Sequence, residues 1–210
     1  MPAGGRSGAG GTFSWYAPNI GGMAFPTPQE HRPAAVDTLE LRRAFGHFAT
    51  GVTVVTYEAA DGELRGTTVN SFTSVSLDPP LVLVSLGRQT RAAATLRSGS
   101  AFAVNVLHHG QRDLAMHFAG RPKPETNVRW EVREGVPHLA GCSSYFRCTA
   151  QDVHGAGDHV IIVARVEEFQ AEGHPPLIFY RGAFERLDEP TAQPAPEVAS
   201  HLFGDFPELW

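Results

Sequence analysis

Between Gly66 and Leu86 the chain reads GTTVNSFTSVSLDPPLVLVSL, and this stretch limits what the rest can fold into. Gly66, Thr67, Thr68, Ser71, Thr73 and Ser74 crowd its first half with small and hydroxyl-bearing residues. Asp78-Pro79-Pro80 then interrupts it, because proline lacks an N–H donor and Pro79 biases Asp78 away from helix. Leu81-Val82-Leu83-Val84 follows, an apolar run of the kind a buried strand shows. A hydroxyl-rich segment between two strands offers clustered side-chain hydrogen bonds and closely approachable backbone N–H groups. That suits a planar, heteroatom-rich ligand carrying phosphate. The same composition also fits a Ser/Thr-rich edge strand ended by a proline turn, and the residues alone leave both readings open.

A chain of 210 residues is long enough for one well-filled core and short for two. Its net charge of -5 supplies no basic footprint, which argues against nucleic acid and anionic membrane as partners. No apolar run approaches the roughly 18–20 residues of a membrane span, and no signal-like segment opens the chain, so a cytoplasmic protein is expected. Cys142 and Cys148, placed on one strand, would lie about 20 Å apart at roughly 3.3 Å per residue, too far for a disulfide. The ten histidines form no HxH, HExxH or Cys–His pair at ligand spacing, and no metal is expected. His108 and His109 would point in opposite directions on an extended segment.

Taken in order, residues 1–36 are punctuated by Gly and Pro too often for regular structure, and a flexible tail is expected despite Phe13, Trp15, Tyr16 and Phe25. Asp37 with Glu40 reads as a capped helix start, with Leu41, Ala44, Phe45 and Phe48 at helical spacing and Gly51 as its stop. Val52–Thr56 reads as a strand, Ala60-Asp61-Gly62 as a turn, and Leu64 onward as the returning arm of a hairpin. Thr90–Arg97 reads as a short helix with Arg88 and Arg91 near its start, a reasonable place for phosphate. Ala101–Leu107 reads as a strand and Gly110–Phe118 as a helix. Arg121–Gly135, with Trp130, is expected to be a loop. Ser144–Val153, His159–Glu168 and Leu177–Phe184 read as strands, with a glycine-containing turn at His154–Asp158. Residues 188–210 read as a Pro/Ala-rich linker, and Leu202, Phe203, Phe206 and Trp210 near its end lead to the expectation of a docking tail. Some seven strands joined by hairpins favour an antiparallel barrel over a parallel sheet. The chain holds no GxGxxG, GxxxxGK[ST] or GxSxG motif.

In order and spacing, ATGVTVVT (49–56), GTTVNSFTSVSLDPPLVLVS (66–85), FAVNVL (102–107), LAMHFAG (114–120), GDHVIIVARV (157–166) and PLIFYRGAF (176–184) resemble the short flavin reductase family, the reductase components of two-component flavin monooxygenases. The resemblance spans residues 38–187 and implies a mainly β fold, an FMN-binding split barrel. That fold is antiparallel and Greek-key-like, of six to eight strands with a few peripheral helices. It implies three regions: a tail 1–36, a body 37–187 and a C-terminal linker with docking tail 188–210. A homodimer with flavin near its interface is also implied.

By the same resemblance, Thr68, Val69, Asn70, Ser71, Ser74, Val75 and Ser76 form the wall that hydrogen-bonds a flavin ring of FMN or FAD. Ser85, Gly87 and Thr90 would meet ribityl and phosphate, with Arg88 and Arg91 as phosphate partners. His117 and Phe118 would lie near the flavin. Gly157, Asp158 and His159 resemble a motif associated with binding NADH or NADPH. Thr126–Trp130 departs from the Lys-Phe found there in many relatives. The implied function is an NAD(P)H-dependent flavin reductase that supplies a separate oxygenase. The alternative is a flavin-binding protein on the same barrel that does not turn over nicotinamide, either a carrier or a flavin enzyme acting on another substrate, a reading that a tail covering the flavin would favour. Hydride transfer needs nicotinamide C4 stacked about 3–3.5 Å from flavin N5 and no acid or base. His159 is therefore expected to orient, the competing role being a structural histidine held by Asp158.

Overall fold

The computed structural model describes residues 36–187, so the expectations for both tails lie outside the described residues. Helix α1 spans Thr38–Phe45, and Asp37 caps it as expected, its Oδ1 accepting from the N–H of Leu39 at 2.8 Å and of Glu40 at 3.2 Å. The helix stops at Gly46, short of Phe48. The chain continues through β1 (Thr50–Gly51), β2 (Thr53–Glu58), β3 (Leu64–Val69), β4 (Thr73–Leu77) and β5 (Pro80–Gly87). Helix α2 (Arg91–Thr95) and β6 (Ala101–Val106) follow, then a one-turn helix at His109–Gln111 that runs into α3 (Arg112–Phe118). Next come β7 (Trp130–Arg133), β8 (Val136–Leu139), β9 (Ser144–Ala156), β10 (His159–Ala171), β11 (Leu177–Tyr180) and β12 (Ala183–Arg186).

Seven strands form one antiparallel sheet in the order β3-β2-β6-β9-β10-β5-β4. Strands β3 and β4 lie at opposite edges of it, yet only residues 70–72 separate them in sequence. Three linking residues reach about 13 Å at most, whereas six strand spacings across a flat sheet would need nearly 30 Å. The sheet therefore curls until its edges approach, which makes it a split barrel. Ser71 fastens the seam: its Oγ accepts from the N–H of Ser85 at 3.0 Å and donates to the Ser85 carbonyl at 2.7 Å.

Inside the barrel Val55, Tyr57, Val82, Val84, Leu86, Phe102, Val104, Cys148, Ile162 and Ala164 pack with Leu96, Ala92 and Ala93 near α2. A second cluster, Val52, Val54, Leu107, Ala115, Leu139, Cys142 and Leu177, fills the space between the sheet and α3. Strand β2 is thus buried on both faces, which is why its VTVVT run shows no polar alternation.

Several expectations are corrected. Arg121–Gly135 is not wholly loop: its end belongs to a hairpin of β7 and β8 around Glu134 and Gly135, at φ 49° and 74°. A tight hairpin asks for two positive φ values there, and the alternation of Trp130 and Val132 with Glu131 and Arg133 runs for only four residues. Leu177–Phe184 is likewise two strands, turning at Arg181 and Gly182 with φ 49° and 84°. His154, Gly155 and Ala156 belong to β9, and the turn is only Gly157-Asp158. His108 is extended and caps the one-turn helix, but His109 lies inside that helix, and their rings stand 5.8 Å apart. Cys142 precedes β9 rather than sharing it with Cys148, and both thiols are free. Burial pushes each thiol pKa up to about 12.

Asn105, fully buried on β6, ties three strands together. Its Nδ2 donates to the Val54 carbonyl and to Thr56 Oγ1, both at 2.9 Å, and its Oδ1 accepts from the N–H of Leu139 at 2.8 Å. Asn105→Ala orphans the Leu139 amide inside the protein and should cost about 2–3 kcal/mol in urea unfolding. Native protein should also resist alkylation by iodoacetamide, both cysteines reacting only once it is unfolded.

Candidate functional site

Where the barrel seam opens, Thr67, Thr68, Val69, Asn70 and Ser71 face Ser85, Leu86, Gly87, Thr90 and His159 across a cleft of about 380 Å³. Eight residues singled out in the sequence meet here: Thr68, Val69, Asn70, Ser71, Ser85, Gly87, Thr90 and His159. Several of their hydroxyls are already committed. Thr68 Oγ1 donates to the Ala115 carbonyl at 2.7 Å and so moors α3 to β3. Thr90 Oγ1 donates to the Gly87 carbonyl at 2.8 Å and accepts from the N–H of Ala93 at 3.2 Å. With Ser71 closing the seam, these groups build and stiffen the wall. The Asn70 amide and the Thr67 and Ser85 hydroxyls line the cleft without a side-chain partner among the described residues.

A smaller recess of about 170 Å³ shares Thr67 and Thr90 with this cleft and is also lined by Tyr57, Arg65, Gly66, Arg91, Ala92 and Phe118. Gly66 is required there: a Cβ on it would fall 2.8 Å from Phe118 Cδ1 and 3.0 Å from Val54 Cγ1. Two cations converge on the recess. Arg65 is held through one terminal nitrogen by Asp61 and Glu63, while its Nε is buried without a partner. Burial raises the Tyr57 pKa above its ordinary value, opposed by the Arg65 and Arg91 charges, so the phenol stays protonated at neutral pH. Sequence reasoning found Arg91, counted Thr67 in the hydroxyl cluster without placing it in the wall, and missed Arg65, although both flank Gly66 on the strand that enters the wall.

At the other end, His159 pairs with Gly87 across β10 and β5, and the Arg88 N–H donates to the Asp158 carbonyl at 2.9 Å. The Gly157-Asp158 turn is thereby pinned beside the cleft, though neither residue lines it. Asp158 Oδ1 lies 2.8 Å from His159 Nδ1, and this hydrogen bond, then the histidine's charge, holds the carboxyl below its usual range. The structure separates Arg88 from Arg91: the Arg88 guanidinium lies over Gly155, where a Cβ would stand 3.0 Å from it. Ser74, Val75 and Ser76 sit on edge strand β4, with Val75 exposed, and line neither cavity. His117 lines neither; its ring meets Phe118 edge-on at 4.9 Å, with Nδ1 buried and unpartnered.

The combined cavity has uncharged amide, hydroxyl and backbone groups along its middle, two arginines at one end and an Asp–His pair near the other. It fits an elongated planar ligand with an anionic end. Among the described residues no three His, Cys, Asp or Glu side chains are placed to hold a metal ion.

Comparison with known proteins agrees with this architecture. Residues 45–188 match the family model for the flavin reductase like domain. The chain is 41% identical over 155 residues to an NADH-dependent flavin reductase of a Rhodococcus species, covering 73% of this chain and 88% of that one. It is 44% identical over 148 residues to the reductase component of the flavin-dependent trigonelline monooxygenase of Acinetobacter baylyi, covering 69% of this chain and 47% of that longer protein. Among solved structures, the NADH:FAD oxidoreductase of Streptomyces globisporus C-1027 superposes with a TM-score of 0.66 at 39% identity, over 74% of this chain and 99% of its own. A curled seven-stranded sheet, a hydroxyl-lined seam and these likenesses agree, and the chain belongs to the flavin reductase like domain family.

Proposed function

We propose that the seam cleft is where this flavin reductase holds its flavin and receives a nicotinamide. The carrying observation is the placement of Thr67–Ser71, Ser85–Gly87, Thr90 and His159 around one opening, continuous with the Arg65–Arg91 recess. Asn70 and the backbone of β3 and β5 meet the ring edge, and Ser85 and Thr67 the ribityl chain. Arg65 and Arg91 receive the phosphate of FMN or the diphosphate of FAD, since fixed guanidinium groups bind phosphate oxygens strongly. Bound flavin supplies the acceptor for a hydride from NADH or NADPH. His159, oriented by Asp158, holds the nicotinamide end and transfers no proton.

In this reading residues 37–187 are the catalytic body, the reduced flavin passes to a separate oxygenase, and the protein works in the cytoplasm. No helix among the described residues is long and apolar enough to cross a membrane. We also propose a homodimer. Phe169, 69% exposed, stacks on Phe146, which stacks on Phe72, and this aromatic row suits a second copy.

Replacing Arg65 and Arg91 together by Ala should weaken FMN about tenfold or more while leaving riboflavin nearly unchanged, since only FMN offers a phosphate. Equal losses, read by flavin fluorescence titration, would remove the recess from the phosphate role. His159→Ala should raise the nicotinamide KM several-fold with a smaller change in kcat, followed at the nicotinamide absorbance band. Absence of turnover with either nucleotide, despite tight flavin binding, would instead favour a flavin carrier. Phe169→Glu should convert a dimer into a monomer in light scattering.

A further inference from the structure

The end of α1 packs on the β11–β12 turn. The Arg181 N–H donates to the Gly46 carbonyl at 2.8 Å, and a Cβ on Gly46 would stand 3.3 Å from Arg181 Cα and 3.1 Å from the Arg43 carbonyl oxygen. Together the two elements wall a groove of about 670 Å³. Leu39, Phe45, Phe48 and Phe179 give it an apolar surface, with Phe45 67% and Phe48 77% exposed. Arg42, Arg43 and Arg181 give it charge. Arg65, Arg133, Arg147 and Arg165 are each paired with a carboxylate. Among the described residues, Arg42, Arg43 and Arg181 form no such pair. The groove adjoins the seam cleft at its Asp–His end. Asn70 lines both, and the Arg42 charge contributes to holding the Asp158 carboxyl below its usual range.

We propose that this groove binds the adenosine diphosphate end of the nicotinamide dinucleotide, its arginines meeting the two phosphates and its phenylalanines the adenine. The chemistry matches in kind and in order. Beyond the nicotinamide riboside, a dinucleotide offers first a diphosphate and then a purine. Guanidinium groups free of carboxylates are available to phosphate oxygens, which they bind in a fixed fork. Exposed aromatic rings give a purine a face to stack on. The volume falls within the roughly 300–1,000 Å³ usual for small-molecule sites, which are likewise apolar with a few placed polar groups. The arrangement also keeps like charges apart. The flavin phosphate goes to Arg65 and Arg91 in the recess, while the dinucleotide enters from the Asp158 side. The place of the nicotinamide rests on the cleft's role proposed above; the groove's hold on the diphosphate and adenine does not.

Hydrogen exchange on the flavin-free, full-length chain tests the site with ADP-ribose, which carries both phosphates and the adenine but no nicotinamide. ADP-ribose should slow exchange at residues 42–48 and 179–182. Arg42→Gln with Arg181→Gln should weaken its binding about tenfold or more, since two charge-assisted contacts are lost. Both side chains are exposed, so the variant keeps its core. No protection of these residues at millimolar ADP-ribose would overturn the proposal, and this is also the result if a second copy of the chain fills the groove. Turnover with FMN then compares NADH with reduced nicotinamide riboside, a donor lacking the diphosphate and the adenine. The wild type should favour NADH in kcat/KM, and the double variant should lose most of that preference through a higher NADH KM. Equal losses for the two donors would overturn the assignment. Protection of the groove by ADP-ribose, with FMN leaving Thr67–Ser71 and Ser85–Gly87 unprotected, would sustain the groove and refute the cleft as the flavin seat.

Discussion

The fold turns on a short connection. Asn70, Ser71 and Phe72 must carry the chain from one edge of a seven-stranded sheet to the other. The sheet can satisfy that only by curling, and its right-handed twist makes curling natural. Once curled, its two edge regions stand close at Ser71 and Ser85, where two hydrogen bonds from one hydroxyl replace part of the missing ladder. A closed ladder would leave no room between the edges. A seam held by one side chain leaves a cleft lined by backbone and hydroxyl groups, and the binding site is therefore a product of incomplete closure.

The same geometry explains why so many hydroxyls in the wall have protein partners. Thr68, Ser71 and Thr90 fix α3, β5 and the start of α2 in turn. A wall whose groups are already bonded loses little freedom when a ligand arrives, which favours a rigid planar molecule. Gly66 serves the same arrangement by letting Phe118 lie against β3 beside the arginine recess. The Asp158–His159 pair closes the opposite end on a turn pinned by Arg88.

Much of this was legible in the sequence. The Gly66–Leu86 stretch announced two strands, a hydroxyl cluster and a break, and the stretch as a whole supplies seven of the ten residues lining the cleft. Asp37 and Thr90 revealed the starts of α1 and α2 because capping is a local signal. What stayed hidden depended on tertiary context. The β7–β8 hairpin was hard to see because Trp130 and Val132 alternate with Glu131 and Arg133 over only four residues, and Pro137 and His138 interrupt the buried run of β8. Arg181 gave no sign of a turn, being a non-glycine residue at positive φ. Thr68, Ser71 and Thr90 were identified as site residues, but only the fold shows their hydroxyls spent on its own carbonyls. Arg65 went unnoticed because its neighbours in the recess, Tyr57, Arg91 and Phe118, come from three other elements.

Hydrogen exchange with and without FMN tests most directly whether the seam is the flavin seat. The account predicts slowed exchange at Thr67–Ser71, Ser85–Gly87 and the Arg65–Gly66 recess, with β4 and the β7–β8 hairpin unchanged. Protection confined to β4, to the β7–β8 hairpin or to α1, with the seam amides unaffected, would contradict it.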